Sequence, residues 1–333
     1  SGRFYKLAKI RMKAIVLNKY GTPDNLEIKE VEKPSPREDE VLVKVHATSV
    51  NSWDWDLLKG IPLANRAMFG LLKPKNLILG CDLAGRVEMV GSKVKQLQTG
   101  DEVFGDISSS GMGAFAEYVC IPENVLGLKA EGMTFEQAAA MPHTGVLALQ
   151  GLRDKGHIQR GHKVLINGAG GGSGTFAVQI AKLSGAEVTV VDCSRKFDML
   201  RSICADHFID YTKEDFTKNG RLYDLILDVV TYRSIFDYRR VLSPNGIYVM
   251  LGGGSYNRVF QAMLLGPLIS MTGKKMGVLI HKPNQKDLNY LTELFEASKI
   301  VPVVDRHYPL SEVAEAFRYY GEGLALGKIV ITV

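Results

Sequence analysis

The stretch Val164-Leu165-Ile166-Asn167-Gly168-Ala169-Gly170-Gly171-Gly172-Ser173-Gly174-Thr175-Phe176-Ala177-Val178 decides how the rest of the chain is read. Lys163 to Asn167 has the apolar pattern of a strand. It enters a turn with five glycines between Asn167 and Thr175, and a helical pattern over Thr175 to Ser184 follows at once. Glycines let the backbone approach a phosphate closely and let the helix pack tightly on its strand. The N–H groups and positive dipole end at the helix start then face the anion. A glycine run alone is a weak motif, and a flexible loop is its plain reading. Here the next strand, Glu187 to Asp192, ends about 20 residues further on, which is the context of a dinucleotide-binding βαβ unit. Gly170, Gly171, Gly172, Ser173 and Gly174 are therefore expected to cradle a pyrophosphate.

The end of that second strand bears on which dinucleotide is bound. Asp192 sits where an acid takes the ribose 2′-hydroxyl of NAD. Ser194, Arg195 and Lys196 follow, and these suit a 2′-phosphate through charge-assisted hydrogen bonds. From this segment alone both readings stand.

Strand and helix patterns continue to alternate C-terminally. Phe197 to Cys204 reads as a helix, Tyr223 to Val229 and Ile247 to Leu251 as strands, and Met276 to Ile280 as a further strand. Such alternation predicts a parallel sheet covered on both faces. Towards the N-terminus the pattern differs. Ala14 to Leu17, Val41 to Val45, Gly85 to Val90, Asp101 to Phe104 and Ala114 to Ile121 are short β runs with turn residues between them, as in an all-β, barrel-like domain. The change falls near Thr134, which can cap a helix through Glu136 to Ala140, and a second helix is expected over Gly145 to Lys155. After about Pro283 come a helix over Asp287 to Ser298, a helix capped by Ser311, and a last strand from Lys328 to Val333. The expected division is 12–133, 134–284 and a return to the first domain over 285–333.

Bulk properties narrow the class. The 333 residues are enough for about two domains. With 46% hydrophobic and 23% charged residues, the composition is that of a globular protein. The net charge of +5 comes without a basic stripe interleaved with aromatics, so no nucleic-acid partner is expected. Cys81, Cys120, Cys193 and Cys204 form no CxxC pair, which points to reduced thiols and a cytoplasmic location. The basic head, Ser1 to Arg11, reads as a cloning scar plus a short tail before a natural start at Met12, or as a targeting remnant. No run reaches the ~18 apolar residues of a spanning helix. The most apolar segment, Val259 to Met271, reads as a buried helix or the wall of a substrate cleft.

Further segments carry a resemblance. They are Val50-Asn51-Ser52-Trp53-Asp54, Gly80-Cys81-Asp82-Leu83-Ala84-Gly85-Arg86-Val87, Gly100-Asp101-Glu102-Val103, Ala139-Ala140-Met141-Pro142-His143-Thr144-Gly145, Asp210-Tyr211 and Gly327-Lys328. With the glycine turn they make the chain, from about Met12 to Val333, resemble the medium-chain dehydrogenase/reductase superfamily in its zinc-free quinone oxidoreductase branch. The resemblance implies an α/β protein with a GroES-like β-rich catalytic domain around a Rossmann doubly wound parallel-sheet domain. It also implies a nicotinamide cofactor in the cleft and a homodimer. Zinc members of the superfamily have a cysteine where this chain has Asn51 and a Gly-His-Glu motif where it reads Gly80-Cys81-Asp82. Catalytic zinc wants three protein ligands, so no metal is expected. Lys196 and Tyr211 match positions that grip the 2′-phosphate in NADPH-dependent relatives. NADPH is thereby favoured, with NADH possible and Asp192 as the departure.

The resemblance also assigns roles. Asn51 is expected beside the nicotinamide ribose, with Thr144, Leu251, Gly252 and Gly253 lining the nicotinamide pocket. Asp228 and Val230 end a strand at the carboxyl edge where cofactors sit, and Lys328 closes the far side. Asp56 and His143 are the candidate proton carriers beside Asn51. A structural histidine is the plain reading of His143, and aromatic packing that of Trp53 and Trp55. Cys81 is either a redox-sensitive thiol or a small buried residue. The expected activity is NADPH-dependent reduction of quinones or α,β-unsaturated carbonyls, small electrophilic acceptors that take hydride and then need only a proton. An NAD(P)-dependent alcohol or aldehyde dehydrogenase, and a non-catalytic NADPH-binding sensor, are the alternatives.

Overall fold

In the computed structural model the described residues are 10–333 except Asn76 and Thr272; the basic head up to Lys9 lies outside them. They form two compact units. The first holds the described residues up to Ala139, with His307–Gly321 and Val330–Val333. The second holds Ala140–Arg306 and Glu322–Ile329.

In the first unit, alternating small and branched apolar residues make short strands. These are β1 (Arg11–Leu17), β2 (Leu26–Glu32) and β3 (Glu40–Ser49), followed by helices α1 (Ser52–Lys59) and α2 (Leu63–Phe69). Then come β4 (Leu77–Ile78), β5 (Asp82–Val90), β6 (Glu102–Asp106), β7 (Tyr118–Pro122), β8 (Leu126–Leu128) and helix α3 (Phe135–Ala139). The strand expected from Ala114 begins only at Tyr118. Ahead of it, Ala114 and Phe115 donate to the carbonyls of Gly80 and Leu79, and the Phe115 carbonyl accepts from Ile15, so no single ladder can form. Thr134 does cap α3: its Oγ1 accepts the Gln137 N–H at 3.1 Å while Gln137 Oε1 accepts the Thr134 N–H at 3.0 Å. Val41, Val43, Val45, Leu83, Val87, Val103, Ile121 and Leu126 pack into one buried cluster.

The second unit starts with α4 (Pro142–Gln150), which runs into a single π turn over Gly151–Lys155. The parallel strands are β9 (Lys163–Asn167), β10 (Glu187–Asp192), β11 (His207–Asp210), β12 (Tyr223–Asp228), β13 (Leu242–Met250) and β14 (Lys275–Val278). Between and after them lie α5 (Gly172–Leu183), α6 (Phe197–Ser202), α7 (Ile235–Val241), α8 (Tyr256–Ser270) and α9 (Gln285–Glu296). The sheet order is β11-β10-β9-β12-β13-β14, and every pairing is parallel. This is the doubly wound sheet expected from the βαβ alternation. The order reverses between β9 and β12, and ligands of such sheets bind at the carboxyl ends of the strands at that reversal. α8 is not the fully buried helix that is one of the two expectations for this segment. It buries Ala262, Gly266 and Ile269 but exposes Phe260, Met263, Leu264 and Leu268, so only one face is covered.

The chain ends with β15 (Val304–Pro309), α10 (Val313–Gly321) and β16 (Lys328–Thr332). Ser311 lies inside a 3-10 turn ahead of α10 rather than at its cap. A seven-stranded sheet joins β15, β16, β3, β5, β6 and β8, with β7 also on β3.

The units part at positions other than those expected. Residues 134–139 stay with the first unit, where Phe135 stacks on His46 at 4.3 Å. Residues 285–306 stay with the second. There Asp287 of α9 accepts from Gln150 Nε2 at 2.8 Å and from Arg153 Nη2 at 2.7 Å, and Leu291 sits against Gly145 of α4. The return to the first unit starts at His307, and residues 322–329 go back to the second.

Candidate dinucleotide site

β9 hands the chain to Gly168, whose φ of +82° is strained for any residue with a Cβ. The Gly168 and Ala169 N–H groups donate to the Val191 carbonyl at 3.0 and 3.4 Å, which hangs the turn on β10. Gly171 is extended, and α5 starts at Gly172, inside the glycine run and three residues earlier than the pattern suggested. No side chain caps α5, and its first turn holds no acid. The positive end of a 12-residue helix is thus left for an anion. At Gly174 a Cβ would stand 2.4 Å from the Gly168 oxygen, so only glycine lets the helix come this close to its strand.

Two buried lysines flank the turn. Lys196 and Lys328 are 7% and 2% exposed. The Lys196 side chain runs over Gly170 and the Lys328 side chain over Gly172, where the Thr144 methyl also lies. Lys328 arrives because Gly327 donates its N–H to the Gly170 carbonyl at 2.8 Å. Beside Gly171 the cradle is open, since the nearest atom to a Cβ there would be the Gly168 oxygen at 3.7 Å. An uncapped helix start, Lys328 over Gly172 and an open glycine fit a pyrophosphate.

Asp192 braces the turn. Its Oδ2 accepts the Gly170 N–H at 2.7 Å, and its Oδ1 accepts the Cys193 N–H at 2.9 Å and lies 3.6 Å from Lys196 Nζ. Its charge is thus balanced by Lys196 and spent on the turn. Across the β10–β11 pairing, Asp210 accepts from the Thr212 hydroxyl and N–H at 2.6 and 3.0 Å. The Thr212 hydroxyl is the main cause that brings the Asp210 carboxyl down to about 2, and Ser194 also bonds to it. Arg195 donates to the Leu324 carbonyl at 2.7 Å. Ser194, Arg195 and Tyr211 are exposed at these strand ends.

At the other side of the reversal, Leu251 donates its N–H to the Asp228 carbonyl at 2.9 Å, and Gly254 donates to the Val230 carbonyl at 3.1 Å. The Thr231 hydroxyl donates to the Gly252 carbonyl. The structure thus laces Val230 to the Leu251–Gly253 segment. His143 on α4 is buried and meets the His281 ring edge-on at 4.9 Å.

Asn51 and Asp56 belong to the first unit. Asn51 precedes α1; its N–H donates to Asp54 Oδ2 at 3.0 Å and its Nδ2 to Asp82 Oδ2 at 2.9 Å. Asp54 Oδ1 also accepts the Gly80 N–H at 2.9 Å and the Cys81 thiol at 3.4 Å. Burial, with Asp54 beside it, pushes the Cys81 thiol well above its usual range, so Cys81 is a buried donor rather than a reactive thiolate. Asp82 Oδ2 also accepts from the Ser49 hydroxyl at 2.6 Å, so Ser49 and Asn51 share this carboxylate. Trp55 packs on Phe317 and Tyr320, with ring centroids at 6.3 and 5.6 Å. Asp56, half-buried on α1, accepts the Ile61 N–H at 3.0 Å through its carbonyl.

Sequence reasoning missed three features of this site: the Asp192 brace on Gly170, the return of Gly327, and the buried cluster of Asn167, Asp228, Tyr238 and Tyr248. Each joins residues far apart in the chain. The nearest signal was polar residues ending apolar strands at Asn167 and Asp228.

Comparison with known proteins agrees with the geometry. Residues 37–131 match the alcohol dehydrogenase GroES-like domain and residues 204–331 match a family described as zinc-binding dehydrogenase. The chain is 32% identical to the 2-methylene-furan-3-one reductase of Solanum lycopersicum, over 96% of this chain and 79% of that one. It is 31% identical to the chloroplastic NADPH-dependent alkenal/one oxidoreductase of Arabidopsis thaliana, with the same two coverages of 96% and 79%. Among solved structures, the quinone oxidoreductase from Coxiella burnetii superposes with a TM-score of 0.87 at 29% identity, covering 97% of this chain and 100% of the other. The chain belongs to the medium-chain dehydrogenase/reductase family, among its quinone oxidoreductase-like members.

Proposed function

We propose that this protein reduces quinones or α,β-unsaturated carbonyls with NADPH. The observation that carries the reading is the glycine turn itself, an uncapped helix start between two buried lysines, with Asp192 committed to Gly170. The relatives named for quinone and alkenal/one reduction support the acceptor class. When bound, the nicotinamide supplies the hydride. The chain's own part is to bind and orient. The α5 N-terminus and Lys328 hold the pyrophosphate charge, Lys196 the 2′-phosphate, and the Val230 and Leu251–Gly253 segments with Thr144 shape the nicotinamide end. The proposed candidates to handle the proton are Asn51, Asp56 and His143, with solvent as its source, for an acceptor that already carries an activated double bond.

Preference for NADPH over NADH is supported by Asp192, whose carboxylate braces Gly170 and faces Lys196, and by Ser194, Arg195, Lys196 and Tyr211 around the same strand end. Zinc independence is supported by Asn51 and Asp82, an amide and a carboxylate hydrogen-bonded to each other where zinc members carry a cysteine and a Gly-His-Glu motif. A homodimer is supported by β14, which ends the six-stranded sheet, and by the exposed apolar face of α8 packed beside it. Four free cysteines suit a reducing compartment such as the cytoplasm. Among the described residues no helix is long and apolar enough to cross a membrane.

The test mixes protein and NADPH with a quinone, a 2-alkenal and a simple saturated aldehyde, and follows loss of NADPH absorbance. Turnover of either of the first two supports the proposal. Turnover of the saturated aldehyde alone would indicate an alcohol dehydrogenase, and tight NADPH binding without turnover would indicate a sensor. Stoichiometric zinc in elemental analysis would overturn zinc independence and turn attention to the His143–His281 pair.

A further inference from the structure

Asp228 ends β12, and its carboxylate is fully buried. Four groups surround it. Asn167 Nδ2 donates to Oδ1 at 2.9 Å, the Thr231 N–H donates to Oδ1 at 3.1 Å, and the Tyr248 hydroxyl donates to Oδ2 at 2.7 Å. The Tyr238 hydroxyl bonds to it as well, while accepting from Asn167 Nδ2 at 3.1 Å. A neutral carboxyl would have to place its own proton on an acceptor. The amide N–H and the backbone N–H offer none, which leaves only the Tyr238 and Tyr248 oxygens to take it, at the loss of their own bonds to the carboxylate. An ionised carboxylate accepts all four. Burial works against that charge and pushes the carboxyl up, and the four hydrogen bonds oppose the shift. Burial and the Asp228 charge push both phenols far above their usual range, so both remain donors.

The donors come from separate elements. Asn167 closes β9 immediately before the glycine turn, and it pairs with Asp228 in the sheet register. Thr231 follows Val230. Tyr248 lies on β13 shortly before Leu251, and Tyr238 lies on α7 behind them. β9, β12 and β13 are neighbours, and the β9–β12 junction is the reversal of the sheet. One carboxylate therefore clasps the three strand ends that lead into the phosphate cradle, the Val230 turn and the Leu251–Gly253 segment.

We propose that Asp228 is a positioning residue for the dinucleotide. It sets the spacing between the phosphate cradle at the end of β9 and the segments at the ends of β12 and β13. It is required to bind a whole dinucleotide but not its adenosine half, which needs only the β9–β10 side of the reversal. This inference rests on the dinucleotide reading of the glycine turn.

The experiment compares wild type, Asp228→Asn and Tyr248→Phe by calorimetric titration with NADPH and with adenosine 2′,5′-diphosphate, which carries the 2′-phosphate but no nicotinamide. In Asp228→Asn the NADPH affinity is expected to fall about tenfold or more, the scale of one charge-assisted hydrogen bond, with the fragment's affinity changed less than about twofold. Tyr248→Phe removes one donor at almost unchanged volume. It keeps the test open should Asp228→Asn fail to fold, and it is expected to show the same split with about a threefold loss. Equal weakening of both ligands would mean general loosening and would overturn the proposal, as would unchanged NADPH affinity in both variants. Failure of the wild type to bind either ligand would instead overturn the cofactor reading beneath it.

Discussion

The carboxylate of Asp192 accepts the Gly170 N–H at 2.7 Å, and the side chain of Lys196 lies across that glycine with its ammonium 3.6 Å from the same carboxylate. An acid at the end of the second strand has here become a brace for the phosphate-binding turn. Its charge is balanced by the residue that otherwise suits a 2′-phosphate.

Substituting the two residues should therefore have different effects. Lys196→Ala is expected to weaken NADPH binding by about tenfold, the scale of a lost charge-assisted contact, and to leave NADH within about twofold. Asp192→Asn loosens the turn and is expected to weaken both cofactors alike. Fluorescence titration with each cofactor checks this. Selective loss of NADH binding in Asp192→Asn would restore the ribose role to that acid.

Two glycines of the turn separate folding from binding. A Cβ at Gly171 meets nothing closer than 3.7 Å, whereas one at Gly174 would press into backbone oxygens at 2.4 and 2.5 Å. Gly171→Ala is expected to melt within a few degrees of wild type while losing most NADPH affinity. Gly174→Ala is expected to lose about 1–3 kcal/mol of stability, as for overpacking. Melting curves and titrations on the two variants decide the matter, and a stable Gly171→Ala with intact NADPH binding would contradict an open phosphate cradle.

Asp210 should leave a mark on acid stability. The Thr212 hydroxyl, against the opposing effect of burial, lowers its carboxyl from 3.8 to about 2 in the folded chain. A group with a lowered folded pKa contributes stability above its unfolded value, and that contribution disappears as pH falls through the folded one. The Asp210 share is thus fully present above about pH 4 and lost towards pH 2. Asp210→Asn is expected to flatten the pH dependence of melting temperature across that window, with less change in slope at neutral pH. An unchanged acid limb would show that the Thr212 bonds do not hold in solution.

Phe317 anchors α10 to α1 in the first unit. It is fully buried, meets Trp55 at 6.3 Å and takes Phe115 edge-on at 5.8 Å. Phe317→Ala is expected to cost about 3–5 kcal/mol. It should also shift tryptophan emission to the red, because Trp55 loses a packed face. Denaturant unfolding followed by fluorescence measures both, and emission identical to wild type would mean that Trp55 does not pack on this helix.

Several parts of this protein could be read from short stretches of chain. The strand over Lys163–Asn167, the one over Glu187–Asp192 and the Thr134 cap appear where local pattern placed them, because a strand period or a capping pair is complete within a few residues. Starts and boundaries were less legible. α5 begins three residues early because glycines obscure helical periodicity without preventing the helix. Residues 285–306 stay with the second unit because Asp287 and Leu291 find Gln150, Arg153 and Gly145.

The glycine turn, its flanking strand and helix, and the polar residues at the next strand end are local facts, so the chain alone announces a phosphate-binding βαβ unit. The disposition of its charges is not local. Asp192 meets Gly170, Gly327 returns to that same glycine, and Asn167 meets Asp228, Tyr238 and Tyr248 only once the parallel strands stand side by side. Hydrogen bonds between strand ends depend on strand order and register, and those are set by the packing of the whole sheet.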